Sequence, residues 1–160
     1  MKKEKVVFSK PYDAALLTYS ILKRLGSGKV NSFKQRLRSQ KIQYLAQLFG
    51  ISPYYPFSLY IRGPYSSPLA HDLFKIKEKK IESKVSRFVP KELEENFIRL
   101  ERFIRGKSND QLELIATLHW FVKIAKLSTD EAVKRVVRLK NPPKAEMKKA
   151  VIAFNSIKQL

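Results

Sequence analysis

Ser108-Asn109-Asp110-Gln111-Leu112-Glu113-Leu114-Ile115-Ala116-Thr117-Leu118-His119-Trp120-Phe121-Val122-Lys123-Ile124 is the most apolar stretch of the chain and points to a helical core. Ser108 and Gln111 have the spacing of a capping box, in which a hydroxyl and a carboxamide satisfy free amides at a helix start. Beyond them the apolar residues fall on several sides of a helix, which predicts a central element reaching about Leu127. Its neighbours carry their own punctuation. Ser128-Thr129-Asp130-Glu131 caps a helix to about Lys140, and Asn141-Pro142-Pro143 separates it from a last helix ending near Leu160. Upstream, Pro90 opens a helix to about Arg105. Glu92, Glu94 and Glu95 come early in it and Arg99, Arg102 and Arg105 late, an order that complements the helix dipole. Leu93, Phe97, Leu100 and Ile104 form its inward face, and Gly106 closes it.

The N-terminal half reads the same way. Pro11 and Asp13 open a helix to about Leu25, with Leu17, Ile21 and Leu25 on one face, and Gly26-Ser27-Gly28 ends it. Ser32 and Gln35 form a capping box for a second helix, which runs to Phe49 and stops at Gly50. Phe33, Leu37, Leu45, Leu48 and Phe49, with Ile42 and Tyr44, make its apolar side. Ser52-Pro53-Tyr54-Tyr55-Pro56 is extended or turning. Residues 57–62 alternate as a half-buried strand does, and Gly63-Pro64 breaks it. Ser67 then caps a third helix with Pro68 in its first turn and Leu69, Leu73 and Ile76 as its core face. The expected architecture is mainly α: one domain over residues 1–160, a compact bundle of about seven helices with one or two short strands near residues 57–62, whose N-terminus 1–8 is basic and flexible.

Thirty-three Lys and Arg stand against 14 Asp and Glu, a formal charge of +19 in 160 residues. The excess is densest in residues 1–50, where 11 basic and two acidic side chains give +9. Self-repulsion of this size works against a compact state and favours a polyanionic partner. The absence of cysteine excludes disulfides, thiolate metal sites and cysteine nucleophiles, and two histidines leave little for an imidazole site. No apolar run approaches the roughly 18 residues of a membrane span. The apolar stretch after the basic N-terminus is too short for an export signal, so a cytoplasmic location and no membrane partner are expected.

Little points to catalysis. His71-Asp72 are neighbours on a helix and diverge by about 100°. His119 lies among Leu118, Trp120 and Phe121, the setting of a core histidine. No HExxH, nucleophile elbow, phosphate-binding glycine loop or paired-carboxylate motif occurs. Catalytic, cofactor and metal sites are therefore not expected. Binding is better signalled. Lys34, Arg36, Arg38 and Lys41 fall within eight residues, with Lys34, Arg38 and Lys41 at helical spacing. A stripe of cations matches the repeat of nucleic-acid phosphates and gains from counterion release. Arg62 at the turn and Lys75, Lys79 and Lys80 beyond it extend the set, although Glu78 and Glu82 offset part of the latter. A third cluster is Lys134, Arg135, Arg138 and Lys140, continuing to Lys144, Lys148 and Lys149. Tyr60 and Tyr65 offer faces on which unpaired bases stack. With no base-reading motif, contact with DNA or RNA is expected to be largely independent of sequence. The competing reading is a protein adaptor, which requires an exposed apolar patch.

Four stretches resemble the YwgA-like family, within the group that carries the Panacea (SocA-like antitoxin) domain. They are Lys41-Ile42-Gln43-Tyr44-Leu45-Ala46-Gln47-Leu48; the run from Phe57 through Gly63-Pro64-Tyr65-Ser66, with Leu69 and Asp72-Leu73; Leu112-Glu113-Leu114-Ile115-Ala116-Thr117-Leu118-His119; and Val137-Arg138-Leu139-Lys140-Asn141-Pro142. They stand in family order over about residues 12–158. The family usually has a Lys where this chain has Tyr44. The resemblance implies a mostly helical fold with a small strand element, no catalytic residues and no cofactor. It also implies toxin–antitoxin or defence-linked roles, including an adaptor that binds and neutralises or delivers a partner protein.

Overall fold

The computed structural model describes residues 11–51, 54–78 and 91–160. The segment 1–8, Ser52, Pro53, Lys79, Lys80, Glu82 and Pro90 lie outside them. Among the described residues the chain forms α1 (Pro11–Arg24), α2 (Phe33–Leu48), β1 (Ser58–Tyr60), β2 (Gly63–Tyr65), α3 (Ser67–Lys77), a short 3₁₀ turn (Lys91–Leu93), α4 (Glu94–Ile104), α5 (Asn109–His119), a π-turn (Trp120–Ile124), α6 (Thr129–Lys140) and α7 (Lys144–Ile157). The fold is thus mainly α with one two-stranded antiparallel sheet.

The apolar stretch forms the centre, as its composition predicts. Residues 111–119 of α5 are all buried. They pack against α2, α6, α7 and the hairpin strand β2. Ser108 caps the helix by accepting the Gln111 amide at 3.1 Å. The Gln111 side chain does not close the capping box. Its carboxamide donates to the Glu146 carbonyl at 3.0 Å and to the Glu146 carboxylate, so it ties α5 to α7. The helix also changes pitch past His119. Ala125 N–H donates to Trp120 O at 3.1 Å, a five-residue step, and Lys126 then takes a positive φ of 60°. This keeps Phe121 in the core and leaves Ile124 exposed.

Other helix ends follow their local chemistry. Both halves of the capping box are present at Ser32/Gln35 and at Ser128/Glu131. α1 closes in a Schellman turn, with Ser27 N–H on Leu22 O at 2.7 Å and Gly26 at φ 69°. α6 ends on left-handed Asn141, after which Pro142-Pro143 prevents continuation. α3 is capped one residue earlier than expected: Ser66, not Ser67, accepts the Leu69 amide. Phe33 was expected on the apolar side of α2 but is 65% exposed, because as the first helical residue it lies before the buried run 39–46.

The strand expectation needs the larger correction. Gly63-Pro64 does not end a strand; it begins the returning one, with Ser58 opposite Tyr65, Leu59 opposite Pro64 and Tyr60 opposite Gly63. Ile61 and Arg62 form the turn at negative φ, and Gly63 supplies the positive φ, 80°, as in a turn followed by a glycine bulge. The same glycine lets β2 approach α5 closely. A Cβ there would stand 2.7 Å from Thr117 Oγ1.

Gly63→Ala is therefore expected to destabilise the fold by about 2–4 kcal/mol, from left-handed strain plus displacement of Thr117. Adding Thr117→Ala should recover the steric part, so that the double variant is about 1 kcal/mol more stable than additivity requires. Urea unfolding followed by far-ultraviolet circular dichroism measures both. Additive effects would show that the contact with Thr117 is not what excludes a side chain at 63.

Candidate nucleic-acid interface

The polar residues of α2 mostly point inward. Gln40 reads both backbone groups of Ser66, donating to its carbonyl and accepting its amide, each at 2.9 Å. Gln47 does the same for Tyr55, at 3.2 and 2.8 Å. Lys41 is 1% exposed, and its Nζ donates to Pro64 O at 2.6 Å. Burial pushes this ammonium down to about 8, while nearby Glu113 pulls it up and Lys140 pushes it further down. Lys140 reaches the same place from α6, donating to Ile61 O at 2.7 Å and pairing with the Glu113 carboxylate. Two lysines and one glutamate thus hold the hairpin from beneath.

Lys41 accordingly leaves the expected set of phosphate contacts: a side chain beneath the hairpin cannot meet a ligand in solvent. The stripe drawn through Lys34, Arg38 and Lys41 breaks up as the helix turns inward. Lys34 remains exposed. Arg36 is half-buried, donates to Val30 O at 3.0 Å and Asn31 O at 2.7 Å, and lies 4.9 Å from the centre of the Phe74 ring. Arg38 is also half-buried and donates to Lys107 O and Asn109 Oδ1, both at 3.0 Å. Arg62 is exposed on the hairpin turn. Lys75 pairs with Asp72 at 3.2 Å, and Asp72 accepts the Tyr55 hydroxyl at 2.9 Å, so this lysine serves a buried network first. Tyr60 and Tyr65 pack edge to face with centroids 5.3 Å apart; Tyr60 keeps 56% of its surface exposed. Lys79 and Lys80 fall outside the described residues.

The carboxylates face a different use from the cations. Glu94 pairs with Arg24, Glu101 with Arg105, Glu113 with Lys140 and Glu146 with Lys149, while Glu131 caps α6. By contrast Lys134, Arg135 and Arg138 on α6 and Lys144 and Lys148 on α7 are exposed and make no ion pair among the described residues. The helical spacing of four between Lys134 and Arg138, and between Lys144 and Lys148, aligns each pair along its helix. Lys23 and Lys29, on either side of the Gly26-Ser27-Gly28 turn, are likewise exposed. Sequence reading passed over these two because the turn looked only like a helix stop; a cation on each side of it was the available signal.

The two histidines have unlike settings. His71 is on the surface of α3, its Nδ1 3.9 Å from Asp72. His119 is buried with its Nδ1 2.8 Å from the Tyr44 hydroxyl. Burial, and then the charge of Lys123, push the His119 imidazole down to about 4. Among the described residues no three His, Asp or Glu gather where a metal ion would be held, and no helix is long and apolar enough to cross a membrane. No family model matches the chain, nor does any curated protein or solved structure.

The depressed His119 value gives a signed expectation. Below pH 6.5 the unfolded imidazole binds a proton that the folded one refuses until about pH 4. Stability therefore falls as pH drops through this window, by up to about 3 kcal/mol. Urea midpoints measured from pH 6.5 to 4 should fall less steeply in His119→Gln than in the parent. Equal slopes would show that His119 is not excluded from protonation.

Proposed function

We propose that this chain is a basic, non-catalytic binding module that contacts DNA or RNA through backbone phosphates, largely without reading sequence, as a cytoplasmic component of a nucleoprotein or defence-linked assembly. One observation carries the reading: Glu94, Glu101, Glu113, Glu131 and Glu146 are engaged in intramolecular pairs and a cap, while Lys134, Arg135, Arg138, Lys144 and Lys148 stand outward on α6 and α7 with no ion pair among the described residues. Such a surface attracts a polyanion and releases the counterions condensed on it. Lys34 and Arg62, from the expected set, contribute from the α2 and hairpin side, and the exposed Tyr60 ring is available for stacking. Arg36, Arg38 and Lys75 contribute charge, although their hydrogen bonds already tie loops and networks together. The likeness to YwgA-like proteins is part of this proposal and rests on the four sequence stretches that carry it. Two of them meet at the hairpin: Lys41 of the first bonds Pro64 of the second.

A second reading, the antitoxin-like adaptor, draws on the exposed apolar side chains beside that hairpin. Ile61 is 92% exposed, and Leu139, adjacent to the lysine that holds the Ile61 carbonyl, is 61% exposed. A protein partner would cover them. A tagged pull-down that yields only nucleic acid after nuclease controls argues against this reading.

Mobility shifts with random DNA and random RNA test the first. If six to ten phosphates are contacted, affinity should fall by ~10³–10⁵-fold between 50 and 200 mM salt. Lys134→Gln, Arg138→Gln and Lys148→Gln should each lower the slope of log affinity against log salt by about 1 and leave unfolding midpoints nearly unchanged. Retention of neither polymer at physiological salt would remove the proposal.

A further inference from the structure

We propose that the cleft between the end of α1 and the start of α2 is a phosphate-recognition site for a nucleotide unit, with the phosphate held by Lys23, Lys29 and Arg38 and the base against Tyr19. The choice of ligand rests on the nucleic-acid reading above; the site itself rests on separate features. The cleft has a volume of about 590 Å³, and no Asp or Glu lines it. That volume is in the range of small-ligand sites. Two other cavities, of about 610 and 500 Å³, both include Glu146, and the smaller adds Asp110 and Glu113. The larger of them also carries Lys107 and Lys149, so what sets the cleft beside α1 apart is a lining with cations and no carboxylate.

The arginine is its most telling member. Arg24 and Arg105 are paired with glutamates. Arg38 is half-buried, and its hydrogen bonds go to two uncharged oxygens, Lys107 O and Asn109 Oδ1. These fix the guanidinium without neutralising it. Desolvation without a counter-charge disfavours the cation, in keeping with its depressed pKa. An anion in the cleft would supply the missing charge, and charge-assisted bonds from a positioned guanidinium are the strong kind.

The other lining groups are suited to an anion too. The Gln35 carboxamide oxygen accepts the Ser32 amide at 3.0 Å as part of the α2 cap, which leaves its NH₂ as the end available to a ligand. The Schellman turn takes up the Leu22 and Lys23 carbonyls, so these acceptors are already satisfied beside the cleft. Gly26 and Gly28 keep side-chain bulk out of its wall. The Lys23 Nζ lies 5.9 Å from the centre of the Tyr19 ring, which sets an ammonium beside an aromatic wall. Phosphate and base are the two parts of a nucleotide that such a pair receives.

The test uses the full chain, ¹⁵N-labelled, with adenosine 5′-monophosphate, adenosine and a ten-nucleotide single-stranded DNA as probes. The monophosphate should shift the amide signals of residues 26–29 and the Tyr19 signals, and adenosine should not. Lys23→Gln/Lys29→Gln, both exposed, should weaken the monophosphate by at least about tenfold. The same change should lower the salt slope for the single strand by about 1.4. Lys134→Gln/Arg138→Gln should leave the cleft shifts in place. Cleft shifts with the strand assign the site to a nucleic-acid backbone; cleft shifts with the monophosphate alone assign it to a free phosphorylated ligand; either supports the site. Equal shifts from adenosine overturn phosphate recognition. Strand binding that leaves the cleft signals unmoved and is insensitive to Lys23→Gln/Lys29→Gln overturns the site while the broader reading stands. Binding of neither probe overturns both.

Discussion

A lysine ammonium held under a β-hairpin is the constraint around which this fold is arranged. Lys41 leaves α2 in the middle of its buried run, and an isolated charge there would be far too costly to bury. Three things offset that cost. The Pro64 carbonyl accepts a hydrogen bond from the ammonium, Glu113 on α5 supplies opposite charge, and the depressed pKa lets the proton leave at a pH not far above neutral. Lys140 from α6 then shares Glu113 and holds Ile61 O. Four elements meet at this cluster, so the hairpin depends on α5 and α6, distant from it in sequence, and the middle of α2 and the end of α6 are fixed in turn by the hairpin. Breaking one member of such a set leaves the others buried with unmatched charge, which is more damaging than never having built it.

Close approach is what makes the arrangement possible. Gly63 allows β2 to lie on Thr117, and Thr117 turns its hydroxyl to the Glu113 carbonyl at 2.7 Å, satisfying itself within α5. The carbonyls of Ile61 and Pro64 are thereby brought within reach of side chains from outside the sheet. Gln40 completes the junction by reading the backbone of Ser66, the residue that also caps α3. A two-stranded hairpin alone is marginal in water. Here its carbonyls are matched by Lys41 and Lys140, and Gln40 holds Ser66, the residue that follows it, each from a helix.

Much of this was legible in the sequence, and what was missed has a common cause. Local chemistry announced itself: Ser32 with Gln35 formed the expected box, Ser128 capped α6 as expected, and the apolar stretch after Ser108 became the centre. Helical spacing also correctly showed which residues share a face. It could not show which way that face turns. In a helix at the rim, cations mark the solvent side; α2 is buried through residues 39–46, so its polar residues bond the interior instead, and Lys41 was misread as surface. Gln111 was misread for a related reason, because Glu146, on a helix 35 residues away, competes for its carboxamide. Gly63-Pro64 looked like a stop because both residues weaken strands, yet a short edge strand accepts a proline, and a bulge requires the glycine.

The distribution of charge left by these internal commitments bears on both stability and binding. Carboxylates that neutralise Arg24, Lys140 and Lys149 are no longer available to screen cations elsewhere. Exposed cations without an ion pair among the described residues stand on α6, on α7 and, as Lys34, in the first turn of α2. A polyanion bound at those positions would remove repulsion that exists only in the compact state, and would favour that state by mass action. Stability and affinity are then coupled through the same side chains. A surface cation that weakens the free fold slightly is retained at little penalty if the chain works while bound. Arg38 carries the same argument inward: two neutral acceptors hold its guanidinium in place, and burial without a paired carboxylate disfavours its charge.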